Sequence, residues 1–446
     1  MIEPSRPQRL PQPTVEESRV AGLIFMTGTF FGMGLMVFFM QVWGSGDDED
    51  IEHYRSVRDL VLQTYVGETN EQELLESALR GMLEELDDYS RYYVEDEVDA
   101  VNQDTTGQTI GIGVIMRYNP DPTVLFPVAG SPAEKAGLRV GDKILSLDEE
   151  LIEGLSQEEL STLIRGPEGS RLAMTVEGRD GVQRDLAVDR HQLLVPSVRR
   201  RRMLDEERGI GYFALVSFSN ESLREFDEAI EALKAEGMQG LIIDLRGNPG
   251  GVLSAAVEMA GRFIPDGVLT STEGRGIPEI EYARKGEAHY LGMPLTLLID
   301  QNSASASEVF AGAVQDYRVG VLVGMPSYGK GVVQTISRYM QRRAIAKLTT
   351  SYYYTPAHRN LQRSRDDSHA FGLSPDIEVD VSLEESDEVL RYVHSYEPPA
   401  AAMADLRAWQ AVDSSLELNL DPPADSQLET ALRLFAGELP GDPSTE

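Results

Sequence analysis

The sequence predicts an α+β protein of several domains, with helices near the N-terminus, then a β-rich module, then a layered α/β domain. Three changes of residue pattern along the 446 residues predict this order. Apolar residues recur at helical spacing from about residue 51 to 100, short alternating segments begin near residue 107, and apolar runs alternate with amphipathic helices after residue 205. Strands that alternate with helices indicate a layered, mainly parallel sheet.

Charge is the strongest departure of this composition from an average globular protein. Asp and Glu together number 74 against 40 Lys and Arg, so the formal net charge is −34. This acidity opposes binding to nucleic acid, and it favours proteins, peptides or small molecules as partners. The chain has no cysteine, and its six histidines show no ligand spacing. The sequence therefore predicts no metal site and no cofactor.

Residues 20–43 carry no charged side chain and are long enough, as a helix, to cross a hydrocarbon core of about 30 Å. No A-x-A-like cleavage site follows before the acidic run at 47–50, so we interpret the segment as an uncleaved anchor. Three arginines precede the segment, and the positive-inside rule then places residues 1–19 in the cytoplasm. We expect a single-pass protein of the inner membrane whose bulk lies on the extracytoplasmic, periplasmic side.

The pattern changes also predict where the parts of the chain begin and end. A turn at Asp87–Tyr93 ends the helical region, one helix near Gln157–Ile164 interrupts the β-rich module, and a basic hinge at Arg199–Arg202 precedes the α/β strands. The predicted parts are a cytoplasmic tail (1–19), a transmembrane helix (20–43), an N-terminal helical region (48–104), a β-rich module (105–192), an α/β domain (193–395) and a C-terminal helical tail (396–446).

The first segment with unusual local chemistry is Asp244–Gly251, DLRGNPGG, where a buried strand ends and a helix begins. Its glycines allow main-chain N–H groups to point at a ligand, and a helix N-terminus favours developing negative charge. The segment is therefore suited to an oxyanion hole. The alternative is an ordinary strand-to-helix turn, in which Gly and Asn are common.

The second segment is Asn302–Glu308, NSASASE, between another strand and another helix. The spacing of Ser305 and Glu308 matches a capping box, so a structural N-cap is one interpretation. In the other, a serine hydroxyl at this turn attacks a carbonyl group whose oxygen is received by the Ala306 amide. The residues alone leave the choice of serine open between Ser303, Ser305 and Ser307.

The third segment, Gly324–Gly331, contains the letters of a phosphate-binding loop but does not match its chemistry. Gly331 stands where such a loop needs Ser or Thr, and the next residues alternate like a strand. Lys330 enters that strand between two glycines, which allows partial burial, although for these residues alone a solvated surface lysine is the commoner outcome. Burial lowers the pKa of a lysine, as a base that activates a serine requires. Gln334, four residues on, is placed to hold the amine.

No histidine lies near these segments, so a Ser/His/Asp triad has no local support. In series, DLRGNPGG, SASASE and YGKGVVQ resemble the C-terminal processing peptidases, or tail-specific proteases, over roughly residues 55–380. The resemblance implies a serine endopeptidase core with ClpP/crotonase-like layers. It also implies that Ser305 is the nucleophile, Lys330 the general base and Gln334 its support. The implied oxyanion hole consists of the Ala306 and Gly251 amides.

The β-rich module resembles the PDZ domain of the same family. GIGV at 111–114 is similar to a carboxylate-binding loop, and AGLRVGDKILSLD is similar to a characteristic PDZ run. PDZ domains add an extended peptide as an extra strand and hold its terminal carboxylate. The resemblance therefore implies that apolar C-terminal tails of protein substrates bind at Gly111, Ile112, Gly113 and Val114. It also matches Arg165 to an arginine that links a loaded PDZ domain to the active protease.

Three further expectations concern partners and regulation. The resemblance implies a homo-oligomer and an adaptor or activator protein as candidate partners. Residues 356–374 form a longer, more charged connection than relatives have, and we expect this insertion to affect substrate access rather than chemistry. The alternative function is that of a catalytically inactive PDZ-containing adaptor on a membrane anchor, but the intact Ser305, Lys330 and Gln334 favour the enzyme.

Overall fold

The computed structural model describes residues 47–94, 96–119, 121–339, 343–363, 371–413, 416 and 418–438. The chain divides into two compact units between Glu85 and Leu86. The predicted cytoplasmic tail (1–19) and transmembrane helix (20–43) lie outside the described residues. Among the residues that are described, no helix has the length and apolar character that crossing a membrane requires.

Two helices, α1 (Asp47–Thr64) and α2 (Glu71–Glu84), form the described part of the first unit. Asn70 begins α2, because its side chain accepts a hydrogen bond from the first turn. Arg58 of α1 forms an ion pair with Glu71 of α2 at 3.1 Å. These helices agree with the helical spacing of the sequence.

The second unit begins with a strand that the sequence reasoning missed. The predicted turn at Asp87–Tyr93 ends at Ser90, whose amide and hydroxyl donate hydrogen bonds to the Asp87 carboxylate. Strand β1 (Arg91–Val94) begins at the next residue. The strand pairs with residues 344–347, far away in the sequence. Such pairing leaves no local signal in a four-residue strand. Helix α3 (Asp96–Thr106) comes next.

A β-rich module follows. Its strands are β2 (Gln108–Gly111), β3 (Val114–Arg117), β4 (Thr123–Pro127), β5 (Lys143–Leu147), β6 (Glu150–Leu151), β7 (Arg171–Glu177), β8 (Gln183–Asp189) and β9 (His191–Leu194). Antiparallel pairing gives the order β3-β4-β5-β7-β8, with β6 on β5 and a separate β2–β9 pair. Alternate residues of β7 are buried in a core of the module's own, as the period of two requires. The edge strand β3 has one open side.

Two helices belong to this module, whereas the sequence pattern predicted one. Helix α5 (Gln157–Ile164) coincides with the prediction, and Ser156 begins it with a capping box. Helix α4 (Pro132–Ala136) was missed. It is a five-residue helix, too short to show helical periodicity in the sequence, and Ser131 and a left-handed Gly137 bound it.

The α/β domain contains two sheets. Its strands are β10 (Val198–Asp205), β11 (Ile210–Leu215), β12 (Gly240–Asp244), β13 (Val268–Gly274), β14 (Glu279–Tyr282), β15 (Leu295–Ile299), β16 (Val321–Gly324), β17 (Val332–Tyr339), β18 (Ala344–Tyr354) and β19 (Ile377–Glu378). The central sheet has the order β10-β11-β12-β15-β16-β19 and is parallel from β11 to β19. The other sheet has the antiparallel order β1-β18-β13-β14, with β17 also on β18.

Helices cover both faces of the central sheet, which is why strand β11 is apolar throughout. Its Phe213 packs with α6 (Ser222–Ala235), α7 (Leu253–Gly261) and α8 (Ala306–Asp316) on one face. The opposite face packs against α9 (Leu383–His394) and α11 (Ser426–Phe435). The predicted mixed α/β fold is confirmed, while its ClpP/crotonase-like layering stays a prediction.

The predicted basic hinge at Arg199–Arg202 is wrong, because these residues lie within strand β10. Arg200 is 3% exposed and donates hydrogen bonds to the carbonyl oxygens of Tyr392, at 3.1 Å, and Asn419, at 3.2 Å. A guanidinium group can be buried when acceptors satisfy it. These acceptors come from about 200 residues further along the chain, so the local run of charge could not reveal them.

The C-terminal segment contacts both parts of the second unit. Helix α10 (Ala400–Gln410) packs Leu406 and Trp409 on Phe126 of the β-rich module. Helix α11 packs on the central sheet through Leu434 and neighbouring apolar residues. The described part of the predicted helical tail therefore joins two cores.

Candidate active site

The three segments with unusual chemistry leave the central sheet at one edge. Strands β12, β15 and β16 are parallel neighbours, and residues 245–252, 300–305 and 325–331 follow them. Parallel strands present their carboxyl ends at a common edge, where ligands of such sheets bind. Direct hydrogen bonds join these loops: the Ala304 amide donates to the Asn248 carbonyl at 3.0 Å, and the Tyr328 amide donates to the Ser303 carbonyl at 3.0 Å.

Ser305 occupies a strained turn immediately before α8. Its φ of +57° and ψ of −114° lie outside the usual regions for a residue with a Cβ atom, at a cost of about 1–3 kcal/mol. The side chain is half-buried. The Glu308 amide in the first turn of α8 donates to the main-chain carbonyl oxygen of Ser305 at 2.9 Å, and the Glu308 carboxylate accepts from the Ser305 amide at 2.8 Å. Among the described contacts, the main chain of Ser305 therefore makes the hydrogen bonds that begin α8.

The two flanking serines are buried and engaged in structural hydrogen bonds. The Ser303 hydroxyl donates to the Leu245 carbonyl at 2.8 Å, and the Ser307 hydroxyl donates to the Asn248 carbonyl at 2.9 Å. Both residues are 1% exposed. The structure thus separates the three serines that the sequence reasoning left equivalent: two fasten the turn to the neighbouring loop, and Ser305 does not.

Glycines in DLRGNPGG let the first loop approach this turn closely. Gly250 has φ +97°, and a Cβ atom added there would lie 2.8 Å from Cβ of Ser305. Gly251 has φ +140°, and its added Cβ would lie 1.9 Å from the carbonyl oxygen of Phe218. Neither position accepts another residue without displacement of the main chain.

The amides of Gly251 and Ala306 differ from that of Gly250 in their hydrogen bonding. The Gly250 amide donates to Oδ1 of Asn248 at 2.9 Å. Among the described residues, no hydrogen bond from the Gly251 amide or the Ala306 amide is found. Both amides therefore have their donor capacity available at the turn that carries Ser305.

Glu308, in the first turn of α8, connects this turn to the lysine loop, residues 325–331. The carboxylate is fully buried, and its Oε2 accepts hydrogen bonds from the amides of Ser305, at 2.8 Å, and Lys330, at 2.9 Å. Because both amides donate to one oxygen atom, the main chains of the two residues adjoin. Sequence reasoning recognised Glu308 only as a helix cap, and the capping pattern was the one signal available.

The Tyr353 hydroxyl, also missed from the sequence, lies beside the same pair. It is 2.5 Å from the Lys330 carbonyl oxygen and 3.2 Å from the Ser305 carbonyl oxygen. Tyr353 is 1% exposed and lies near the end of β18. No local pattern distinguishes it from its neighbours Tyr352 and Tyr354, because only the sheet determines which of them points inward.

Lys330 is half-buried, which is the less common of the two outcomes that the sequence left open. Burial, followed by the positive charge of Lys347, lowers the pKa of Lys330 to about 8, against the opposite influence of Glu308 and Asp87. The amine nitrogen lies 4.8 Å from the centre of the Tyr89 ring. A substantial fraction of the lysine is thus neutral near pH 8.

Gln334 lies in β17 next to a bulge between Val333 and Gln334. Its Nε2 donates to the Tyr89 carbonyl oxygen at 2.5 Å, so Gln334 holds the residue whose ring faces the Lys330 amine. The described contacts contain no hydrogen bond between Gln334 and Lys330 themselves. Direct support of the amine by Gln334 stays a prediction. The strand after Gly331 agrees with the rejection of a phosphate-binding loop.

Described residues of the 356–374 insertion border the lysine loop on both sides of residues 364–370. The Arg363 amide donates to the Gly329 carbonyl at 2.8 Å, and the Leu373 amide donates to the Ser327 hydroxyl at 2.7 Å. The Gln362 side chain accepts from the Gly331 amide at 2.9 Å. The insertion, of which residues 364–370 are outside the described part, therefore supports the loop that carries Lys330.

A groove of about 630 Å³ lies in the β-rich module between the edge strand β3 and helix α5. All of the residues predicted to bind a peptide tail line it, namely Gly111, Ile112, Gly113, Val114 and Arg165. Gly113 has φ +74°, and an added Cβ would lie 2.4 Å from Cβ of Ser131. The Arg165 guanidinium lies against its own helix, with Nη2 at 2.8 Å from the Ser161 hydroxyl.

Comparisons with known proteins agree with this architecture. The model of peptidase family S41 matches residues 209–379, a PDZ domain model matches 124–178, and the model of the activating protease CtpB N-terminal domain matches 40–97. The carboxy-terminal-processing protease of Bartonella bacilliformis is 30% identical over 446 residues, covering 95% of this chain and 98% of that protein. A probable CtpA-like serine protease of Staphylococcus saprophyticus is 31% identical over 363 residues, covering 80% and 71%.

A solved structure, the photosystem II D1 C-terminal processing protease, is 28% identical, covers 73% of this chain and 86% of its own, and has a TM-score of 0.42. The fold and the matches define a serine-type peptidase with a PDZ domain, which acts on peptide substrates. The chain belongs to the carboxy-terminal-processing proteases of peptidase family S41. The expectation of an enzyme of this family is confirmed.

Proposed function

We propose that this protein is a membrane-anchored endopeptidase that cleaves substrates near the carboxyl end with a Ser305/Lys330 dyad. The observation that carries the proposal is the turn at Ser305. The turn is strained at Ser305, and the amide of Ser305 shares one carboxylate oxygen of Glu308 with the amide of Lys330. A serine beside a lysine of lowered pKa is a nucleophile with a base.

In the proposed reaction, the neutral Lys330 amine takes the proton of the Ser305 hydroxyl while Oγ attacks the carbonyl carbon of the scissile bond. The C–N bond then breaks, and the lysine ammonium gives its proton to the leaving amine. Water attacks the resulting ester and loses a proton to Lys330, and the acid product leaves as Ser305 regains its hydrogen. The lysine thus alternates between base and acid, as histidine does in other serine peptidases.

The tetrahedral intermediate would place its oxyanion at the amides of Ala306 and Gly251. The unengaged donors of these amides support the assignment. The Ala306 amide also belongs to the N-terminus of α8, where the helix dipole favours negative charge. Gln334 would stabilise the arrangement of the base, either directly or through Tyr89, to which it donates a hydrogen bond.

The PDZ groove would bind the C-terminal tail of the substrate. An edge strand with an open side accepts an extended peptide by main-chain hydrogen bonding, and β3 is such a strand. The glycine-containing loop 111–114 lines the same groove, where loop amides can receive a terminal carboxylate. Apolar residues of the groove, such as Ile112 and Ile164, favour apolar tails.

Regulation would involve three features. Arg165 would report tail binding to the protease core, because it lines the groove and bonds only within its own helix among the described contacts. The 356–374 insertion would adjust access to the lysine loop that it borders. A second copy of the chain and an adaptor or activator protein are the partners that we propose.

Residues 20–43 would anchor the chain in the inner membrane, with the protease on the periplasmic side. The uncharged length of this segment and the arginines before it support the proposal. The substrates would then be extracytoplasmic proteins.

Replacement of either dyad residue should abolish cleavage. Ser305→Ala and Lys330→Ala each lower kcat by at least about 10³-fold, because the two residues act as a unit. The measurement is digestion of an unfolded protein by the full-length chain, with circular dichroism to establish that the variants fold. Undiminished cleavage by either folded variant contradicts the dyad, and cleavage that is absent from the parent chain favours an inactive adaptor.

Activity should rise with pH through the pKa of Lys330. The base must be neutral, so below about pH 8 the value of kcat/KM increases about tenfold per pH unit and levels off above it. Initial rates on one peptide between about pH 6 and pH 10 measure the profile. A flat profile across the acidic half would show that the base is not a lysine of this pKa.

A free terminal carboxylate should be required for efficient capture. For a peptide with an apolar tail, amidation of its carboxyl end removes the charge that loop 111–114 receives, and we expect binding at least about tenfold weaker. Fluorescence anisotropy on the Ser305→Ala chain measures the dissociation constant without cleavage. Equal affinity for the acid and the amide would exclude recognition of the carboxylate.

The full-length chain should behave as an integral membrane protein. After expression in a Gram-negative bacterium, it should stay in the membrane pellet during alkaline carbonate extraction, whereas a chain without residues 1–44 should be released. A protease added to the medium around spheroplasts should digest the catalytic part, because that part lies outside the inner membrane. Release of the full-length chain by carbonate would contradict the anchor.

A further inference from the structure

Glu308 has more hydrogen bonds than an N-cap partner needs. Besides the amides of Ser305 and Lys330 on Oε2, its Oε1 accepts from the Ser327 hydroxyl at 2.6 Å and from the Gly329 amide at 2.8 Å. The Tyr353 hydroxyl lies 3.3 Å from Oε2. Only the hydrogen bond from Ser305 belongs to the start of α8. The bonds from Ser327, Gly329 and Lys330 fix the lysine loop, and Tyr353 belongs to β18.

A second buried glutamate shows what a mainly structural role looks like. Glu225 also lies in the first turn of a helix, α6, and is 9% exposed. Its Oε2 accepts from the amides of Ser197, at 2.7 Å, and Val198, at 3.1 Å. The carboxylate of Glu225 thus fastens one strand to one helix, and neither contact includes a residue of the candidate dyad.

Burial of a carboxylate is unfavourable unless donors satisfy it, because an ion loses its hydration. Burial raises the pKa of Glu308, while its hydrogen bonds from Ser327, Lys330, Gly329 and Ser305 oppose that rise. Three of these donors are main-chain amides, which can only donate. Donors therefore satisfy both carboxylate oxygens of Glu308, which offsets the loss of hydration.

We propose that Glu308 is a positioning residue of the peptidase: its carboxylate holds the main chains of Ser305 and Lys330 at one oxygen atom and thereby keeps hydroxyl and amine in register. The proposal rests on the Ser305/Lys330 dyad proposed above. Tyr353 reinforces the same register from the carbonyl side, since its hydroxyl reaches the carbonyl oxygens of both residues.

The negative charge of Glu308 has an effect that can be separated from its geometry. It raises the pKa of Lys330, against the burial that lowers it. The other titratable groups around this amine are Lys347 on β18, Asp87 and Tyr89 ahead of β1, and Tyr353 at the end of β18. Loss of the Glu308 charge alone would therefore favour the neutral amine at lower pH.

Two substitutions separate position from charge. Glu308→Ala removes both, and misplacement of the dyad should lower kcat by at least about 10²-fold while KM changes little. Glu308→Gln can keep the carbonyl oxygen that joins Ser305 and Lys330, so it should retain more activity, about tenfold below the parent. In the pH profile of Glu308→Gln, the rise of kcat/KM on the acidic side (the acidic limb) should lie at lower pH than in the parent.

The experiment measures pH profiles, kcat and KM of full-length Glu308→Gln, Glu308→Ala and the matched control Glu225→Gln on one peptide. The control should keep the parent's acidic limb, since its carboxylate contacts neither dyad residue. Circular dichroism establishes folding, and if Glu308→Ala does not fold, the pH profile of Glu308→Gln decides the question.

The outcomes also separate this proposal from the dyad on which it rests. If Ser305→Ala and Lys330→Ala are inactive but Glu308→Gln has the parent's profile, or a limb moved to higher pH, the proposal for Glu308 is overturned and the dyad stands. If the Ser305→Ala chain cleaves normally, the dyad itself is wrong. An acidic limb that moves down in Glu308→Gln and stays fixed in Glu225→Gln supports the positioning role.

Discussion

The parallel pairing of β12, β15 and β16 is the constraint on which the site depends. Because these three neighbouring strands run in the same direction, the loops that follow them leave at one edge of the central sheet. The loops 245–252, 300–305 and 325–331 are therefore brought together, although the sequence from the first to the last of them is about 90 residues long. Had one strand been reversed, its loop would lie at the opposite edge and the glycine segment, serine and lysine would be separated.

At that edge, polar groups replace the apolar packing that holds the strands. The Glu308 carboxylate, the Asn248 main chain and the hydroxyls of Ser303 and Ser307 connect the loops by hydrogen bonds in a region nearly without solvent. Such bonds are directional and strong where water is excluded, so they determine one arrangement of the loops. Ser305, at a strained turn, joins this network through its main-chain amide, whereas Ser303 and Ser307 join it through their hydroxyls. The lowered pKa of Lys330 follows from the same burial.

The C-terminal segment shows how the β-rich module and the sheet are kept together. Arg200 of β10 donates to the carbonyl oxygens of Tyr392, in the last turn of α9, and of Asn419. Trp409 of α10 packs on the module, and the Arg117 guanidinium lies 5.1 Å from its ring centre. Tyr396, between these helices, lines the PDZ groove and stacks near Arg199. One wall of the groove thus comes from residues outside the module, so changes in that wall and in the C-terminal segment are physically linked.

The sequence alone determined the succession of elements and the chemistry of the loops. Periodicity indicated the alternation of buried strands and amphipathic helices that forms the central sheet from β11 to β16, since such helices repeat every 3.6 residues. It did not reveal β13 and β14, and β10 was mistaken for a hinge. The motifs identified the family and indicated Ser305, Lys330 and the glycine pair. These features are local, because they depend on residues within one turn or one strand.

Only the tertiary structure decided which groups meet across the chain. It engaged the hydroxyls of Ser303 and Ser307 in structural hydrogen bonds, joined Glu308 and Tyr353 to both loops, and placed the predicted hinge at Arg199–Arg202 in a strand. Each of these facts depends on a hydrogen bond or a pairing between residues far apart in sequence. The residues adjacent in sequence do not reveal such partners, because strand direction and burial in the folded sheet determine which groups meet.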